Sequence, residues 1–391
     1  MPREGGLSDQ RSELVTAAEA AAILGVRTAT IYAYASRGLL GGTARGPGRT
    51  ARYPRALVET LKTKAAARAG HAAVAAAALR WGEPVLDSAV TKLTPRGPVY
   101  RGKRAIDLVG SRFEEVAELL WQRKADWSPV APRVVTKTAR PSVNALLRVM
   151  AQLPLREAPI TSTPAVIRRL ACAAGDAESL AERQPTIAGA LGASLRGRVL
   201  TARDRALLDA ALVLIADHEL NASTFAARIA TAAGAAWPEA FIAALATATG
   251  VRHAPACDRA ERVWGAARAS KSPGRWVKEQ PVLEGFEAGA YPDGDPRGDR
   301  LITLVTPRLG ARERASLTEL LTAVREHTGQ FPSVDLGLVL VAHVLRLPRG
   351  SASVIFVLGR TAGWVAHIEE QAQSRELIRP RARAVPQAPA R

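Results

Sequence analysis

Along most of this chain, apolar residues recur every three or four positions, and short Gly- or Pro-marked breaks separate the runs. That spacing predicts helices. Phe113–Trp121 (FEEVAELLW), residues 205–216 and residues 222–233 carry it, while alternating β-branched runs are few. The expected fold class is therefore mostly α. Nearer the start, the stretch from Thr16 to Leu24 places Ala20, Ile23 and Leu24 on one face, with Thr16 as N-cap and Gly25 as stop. A second short helix is expected from a cap at Thr28 to a stop at Gly38. Ile31 and Ala35 would face inward, Tyr34 partly so, and Thr30 and Arg37 outward. A glycine-rich basic stretch, 41–52, follows, then Tyr53 and another helix to about Lys64. Residues 65–82 are mostly alanine and read as a helical linker. Residues 83–382 form the large remainder, with a Pro-, Lys- and Arg-rich loop at 126–142, and 383–391 read as a disordered tail.

Two short helices, a tight turn and a basic hairpin make a winged helix-turn-helix pattern. Residues 1–64 accordingly resemble the N-terminal domains of MerR-type regulators and of the excisionase-like domains related to them. The ILGV turn, TIYAYASRGLL and the basic wing ending in RYPR carry that resemblance. Charge adds to it. The 391 residues include 54 Lys+Arg against 36 Asp+Glu, a formal charge of +18. Such an excess attracts polyanions, nucleic acid first and an anionic membrane surface second. Between Arg27 and Arg68 lie nine basic residues against one acid, Glu59. A helix of short polar and basic side chains suits base edges, and wing arginines suit phosphates. Arg27, Thr28, Thr30, Arg37, Arg45, Arg49 and Arg52 are thus the candidate contacts to double-stranded DNA. The competing reading is a small dimerisation domain with a solvated basic face.

Composition narrows the rest. A hydrophobic content of 47% is too high for a disordered chain. No run of 18 apolar residues escapes a charge or breaker, and MPREGGLSDQRSEL lacks the apolar core of a signal peptide. Cys172 and Cys257 support neither a disulfide framework nor a cysteine-based metal site. A cytoplasmic protein without a membrane partner is expected.

The second part carries strings that resemble, in order, the citrate synthase family. They are Tyr100-Arg-Gly with FEEVAELLW, then Ala216-Asp-His-Glu-Leu-Asn-Ala-Ser-Thr-Phe225 and Tyr291-Pro-Asp-Gly-Asp-Pro-Arg297. Pro332-Ser-Val-Asp335, Gly359-Arg-Thr-Ala-Gly-Trp-Val-Ala-His367 and Ile378-Arg-Pro-Arg381 complete them. The resemblance implies a dimeric helical fold with a large domain and a small mobile domain, the latter roughly residues 250–345, closing over a cleft. It also implies a condensation between acetyl-CoA, or another acyl-CoA, and oxaloacetate, with no permanently bound cofactor. An acidic carbon needs a positioned base, the developing enolate needs a hydrogen-bond donor, and a dicarboxylate suits guanidinium groups.

Carried over by position, Asp335 matches the family's base and His253 its enol-stabilising histidine. His218 matches the substrate-binding histidine, and Arg297, Arg360 and Arg379 match the three carboxylate-binding arginines. Taken alone, Asp335 also fits a helix cap. Two departures stand out. After His253 the family continues with two glycines and Ala-Asn, whereas this chain has Ala254-Pro-Ala-Cys257. Before Tyr291 the family carries Gly-Phe-Gly-His-Pro-Leu, whereas this chain reads Gly285-Phe-Glu-Ala-Gly-Ala. Ala288 therefore stands where the ketone-polarising histidine belongs. His327, His343 and His367 offer no replacement, His367 reading as structural. Carboxylate anchors kept beside an altered condensation site imply retained binding of a di- or tricarboxylate, or of an acyl-CoA, coupled to DNA binding. The alternatives are an active citrate or 2-methylcitrate synthase, or a heteromer with a competent paralogue rather than a homodimer.

Overall fold

Thr16 starts the first helix by a reciprocal cap. Its hydroxyl accepts from the Glu19 N–H at 3.3 Å, and the Glu19 carboxylate accepts from the Thr16 N–H at 2.7 Å. Gly25, at φ 64°, closes that helix in the left-handed conformation that glycine adopts without strain. A computed structural model describes residues 14–36, 40, 44–45, 51–55, 57–59, 86–134, 140–286, 290–291, 293–374 and 376–380, with backbone only at 36, 44 and 45. The linker at 65–82 and the tail at 383–391 lie outside the described residues. The chain divides into two compact units, residues 1–87 with 379–391, and residues 88–378.

In the first unit, β1 (Leu14–Thr16) leads into α1 (Ala17–Leu24) and α2 (Thr28–Ser36), followed by β2 (Ala44–Arg45) and β3 (Ala51–Pro54). The strands form an antiparallel sheet in the order β1-β3-β2, with Val15 opposite Tyr53 and Arg45 opposite Ala51. Val15, Ala20, Ile31, Leu40, Tyr53 and Val58 make its core. Two differences from the sequence reading appear. Ala17, Ala20 and Ala21 are the buried positions of α1, with Ile23 and Leu24 only half-buried. Thr28 is the first residue of α2 rather than its cap, and the Arg27 carbonyl accepts from the Thr30 N–H.

The second unit opens with an antiparallel meander, β4 (Thr91–Thr94), β5 (Gly97–Tyr100) and β6 (Lys103–Arg104). Helices follow: α3 (Phe113–Trp121), α4 (Val143–Gln152), α5 (Thr163–Cys172), α6 (Glu178–Glu182), α7 (Ile187–Arg196) and α8 (Ala202–Leu214). Then come α9 (Ala222–Ala232), α10 (Trp237–Ala248), α11 (Ala256–Ala269), α12 (Pro273–Lys278), α13 (Pro296–Val305), α14 (Ala311–Thr328), α15 (Val334–Val344) and α16 (Ser351–Gln373).

Helix α16 is the axis of this unit. It is long and apolar enough to cross a membrane, yet its apolar stretch is buried inside the protein. Helices α3, α8, α9, α10 and α15 pack around it. Two glycines let it approach so closely. A Cβ at Gly359 would stand 2.6 Å from the Ile215 side chain. One at Gly363 would stand 2.7 Å from the Ala216 carbonyl oxygen and closer still to Asp217. A second close crossing joins α13 to α15, where a Cβ at Gly298 would lie 2.6 Å from the Ser333 carbonyl oxygen. These contacts bring the turn after α8, the start of α15 and the middle of α16 into one region.

Candidate functional site

The turn between α8 and α9 holds His218. On one side of it, Asp217 accepts from the Glu219 N–H at 3.0 Å; on the other, Asn221 caps α9 by accepting from the N–H groups of Ser223 and Thr224. The buried Tyr100 hydroxyl lies 3.2 Å from the carbonyl oxygens of Val213, Leu214 and Asp217, fixing the turn from below. His218 Nε2 meets the Tyr291 hydroxyl at 2.9 Å. Burial, then the charges of Arg297 and Arg360, push the His218 imidazole well below its ordinary pKa. A histidine held neutral beside two guanidinium groups offers an uncharged hydrogen bond to an anion without competing for it.

The two arginines differ. Arg297, 6% exposed, donates from Nε and Nη2 to the Asp295 carboxylate at 2.9 and 2.8 Å, and its guanidinium lies 5.4 Å from the Tyr291 ring centroid. Burial works against its charge, but Asp295 holds its pKa above the ordinary value. Asp295 also accepts from the Val334 N–H at 3.1 Å, so one carboxylate joins Arg297 to the start of α15. Arg360, 2% exposed, has no such partner among the described residues: its Nε and Nη1 make no hydrogen bond there. Burial brings its pKa down to about 10 despite the nearby Asp217 carboxylate. Buried donors without acceptors are costly, and two of them on a guanidinium have the geometry that suits an anion.

Asp335 lies in the first turn of α15. The helix cap is Ser333, whose hydroxyl accepts from the Asp335 N–H at 3.2 Å. The Asp335 carboxylate instead accepts from the Cys257 thiol at 3.2 Å. Cys257 is buried and free, and burial together with Asp335 raises its thiol well above the ordinary value. His253 Nε2 meets the Ser223 hydroxyl at 2.8 Å, and that hydroxyl also accepts from the Trp364 indole N–H at 3.1 Å. Burial, then Arg360, pushes the His253 imidazole down to about 4. Beside it a cavity of about 290 Å³ is lined by Asn221, Thr247, Gly250 and Arg252 among others. Ala254, in place of a glycine, is fully buried, and its carbonyl accepts from the Ser353 hydroxyl.

His218, His253, Arg297, Arg360 and Asp335 are thus drawn together by α8–α9, α11, α13, α15 and α16. Arg379 is exposed on the extended segment after α16, within the first unit. Glu287 and Ala288 lie outside the described residues, but their flank is anchored: the Gly285 carbonyl accepts from the Ser333 N–H at 2.8 Å and Phe286 is buried. His327 is exposed, His343 bonds Glu313, and His367 is fully buried against Asp217 at 3.3 Å. Sequence reasoning missed Asp295 and Tyr100 as site residues, although both sit inside quoted strings. Asp295, two residues before Arg297 and just before a proline, carried a capping signal.

In the first unit Arg27, Thr28 and Arg52 are exposed and Thr30 is half-buried. Arg37, Arg49 and the Arg45 side chain lie outside the described residues. The sequence reading also passed over Tyr32, which is 55% exposed one turn beyond Thr28.

Comparisons with known proteins bear on the family and the fold. The family profile for the citrate synthase C-terminal domain matches residues 154–381, and one for a helix-turn-helix domain matches residues 14–66. A citrate synthase of Haloferax volcanii is 32% identical over 185 residues, covering 45% of this chain and 48% of that protein. A 2-methylcitrate synthase of Corynebacterium glutamicum is 29% identical over 177 residues, covering 43% and 46% respectively. The chain therefore spans about half the length of the curated relatives it matches. The crystal structure of the Thermotoga maritima citrate synthase superposes with a TM-score of 0.67 at 19% identity, covering 80% of this chain and 96% of that one. The Thermoplasma acidophilum enzyme, solved as a ternary complex with carboxymethyl coenzyme A and oxaloacetate, gives 0.67 over 78% of this chain and 95% of its own.

Proposed function

The chain belongs to the citrate synthase family, and from that premise we propose that its second unit binds a small di- or tricarboxylate and that the helix-turn-helix unit converts this binding into a change in DNA affinity. The observation that carries the first half is Arg360, a buried guanidinium with two donors that find no acceptor among the described residues. Oxaloacetate or citrate would fill it, with Arg297 and the neutral His218 on its other carboxylate groups and Arg379 completing the set in a dimer. Condensation is weak in this reading. Ala288 can donate nothing to a ketone, and losing one such donor costs about 10²–10³ in turnover. Two heads in a dimer suit a palindromic DNA site. Calorimetric titration tests the carboxylate: citrate or oxaloacetate binds the full-length chain saturably, and Arg360→Gln abolishes the signal. Absence of binding to the native chain would refute the reading.

A second reading, a working citrate or 2-methylcitrate synthase acting alone or with a competent paralogue, draws on His253 and Asp335. The Ser223 hydroxyl donates to the Asn221 side-chain oxygen at 2.7 Å, so a neutral His253 donates from Nε2 to Ser223. A hydrogen bond from its Nδ1 to an enolate formed from an acyl-CoA then requires the ring to take up a proton as the acyl-CoA binds. Co-purification of a similar polypeptide from the native host would favour the heteromer.

A further inference from the structure

Away from the carboxylate site, a second cavity of about 640 Å³ opens where α11, the C-terminal end of α15 and the start of α16 meet. Asp335 stands at the other end of α15, eleven residues long, so the cavity is a different place. Four arginines line it: Arg262, Arg268, Arg346 and Arg349. The carboxylates nearby are already engaged. Glu261 accepts from the Gly350 N–H at 3.2 Å and lies 3.7 Å from Arg349, and Glu313 takes Arg268 and His343. Arg262 and Arg346 have no carboxylate partner among the described residues.

Arg346 is held there under strain. It follows α15 at φ 55°, in the left-handed region where glycine is usual, while the Leu347 N–H donates to the Ala342 carbonyl at 2.9 Å to close the helix. A helix end of this kind prefers glycine by about 1 kcal/mol, and retained strain points to a use for the side chain. The cavity also touches Trp264, which is 2% exposed and whose buried indole N–H has no partner among the described residues. Its volume suits a small organic ligand, and its guanidinium groups without carboxylate partners suit phosphate oxygens.

We propose that this cavity binds an organic polyphosphate of nucleoside-diphosphate size, through Arg262 and Arg346. The proposal stands apart from the carboxylate reading and holds whether or not the chain catalyses condensation. The test is calorimetric titration of the full-length chain with ADP and, separately, with inorganic pyrophosphate at low salt. The native chain shows saturable binding of ADP. The double variant Arg262→Gln/Arg346→Gly binds it about tenfold more weakly or worse, as expected for lost charge-assisted hydrogen bonds. Arg346→Gly alone also weakens ADP binding yet melts no lower than the native chain, because glycine relieves the left-handed position, so its loss of affinity is not a loss of fold. Equal binding of pyrophosphate and ADP identifies the phosphates as the recognised part. No saturable binding of either, or ADP binding unchanged in the double variant, overturns the proposal.

Discussion

Arg297 and Arg360 are both buried, yet one is neutralised by Asp295 and the other is left with open donors. That contrast makes Arg360 costly in the empty protein, since its buried donors carry a desolvation penalty that the nearby Asp217 carboxylate offsets only in part. Arg360→Met should therefore leave the melting temperature of the empty chain unchanged or higher and erase the rise that citrate causes in the native chain, as thermal melts with and without citrate will show. Titration gives opposing trends. His218 and His253 have folded pKa values depressed below their unfolded ones, so the unfolded chain takes up protons that the folded chain cannot. Stability falls as pH drops from the ordinary histidine value towards about 4. Asp209 works the other way. Burial, then Glu114, raises it to about 7, so its favourable contribution is present below the ordinary carboxylate pKa and lost as pH rises through 7. Asp209→Asn, which can still accept from the Phe113 N–H, should gain about 1 kcal/mol near pH 8 and little near pH 5 in denaturant titrations. Much of this residue-scale picture follows from motif strings, but not the partners. The contact of Asp295 with Val334 spans 39 positions and that of Cys257 with Asp335 spans 78. No local periodicity reports contacts over such separations.

At the scale of elements, the site depends on backbones that approach without side chains between them. Gly363 lets α16 lie against Ala216 and Asp217, and its own N–H donates to the Ala216 carbonyl at 2.9 Å. Gly363→Ala drives a methyl group into that carbonyl and should cost about 1–3 kcal/mol or more, read by chemical denaturation. Carboxylate binding should weaken with it, because Arg360 lies one turn away on the same helix. Helix positions along this chain were readable where capping chemistry was local: the Thr16 box, the Gly25 stop and FEEVAELLW all follow from neighbours in sequence. Thr28 was misplaced because Arg27 and Thr28 compete for the same start and only the carbonyl of Arg27 accepts from Thr30. Asp335 read either as the family's base or as a cap, since a serine and an aspartate two residues apart give the same capping signal. The structure gives the cap to Ser333 and turns the Asp335 carboxylate towards Cys257.

For the whole molecule, the proposed function divides part of the +18 charge between two kinds of anion. Basic residues near the helix-turn-helix suit a duplex, and buried arginines of the second unit suit small carboxylates. Gel shifts with fragments from near the protein's own gene should show binding that weakens steeply with salt and changes on adding citrate or oxaloacetate. Binding that ignores both metabolites would separate the two units functionally. The central claim is that the family's carboxylate anchors persist while its condensation chemistry is crippled at position 288. The most direct measurement follows free coenzyme A released from acetyl-CoA and oxaloacetate by the native chain and by Ala288→His, side by side. The account predicts that the native chain is slow and that the variant gains about 10²-fold or more. Native turnover within about tenfold of an ordinary citrate synthase would contradict it.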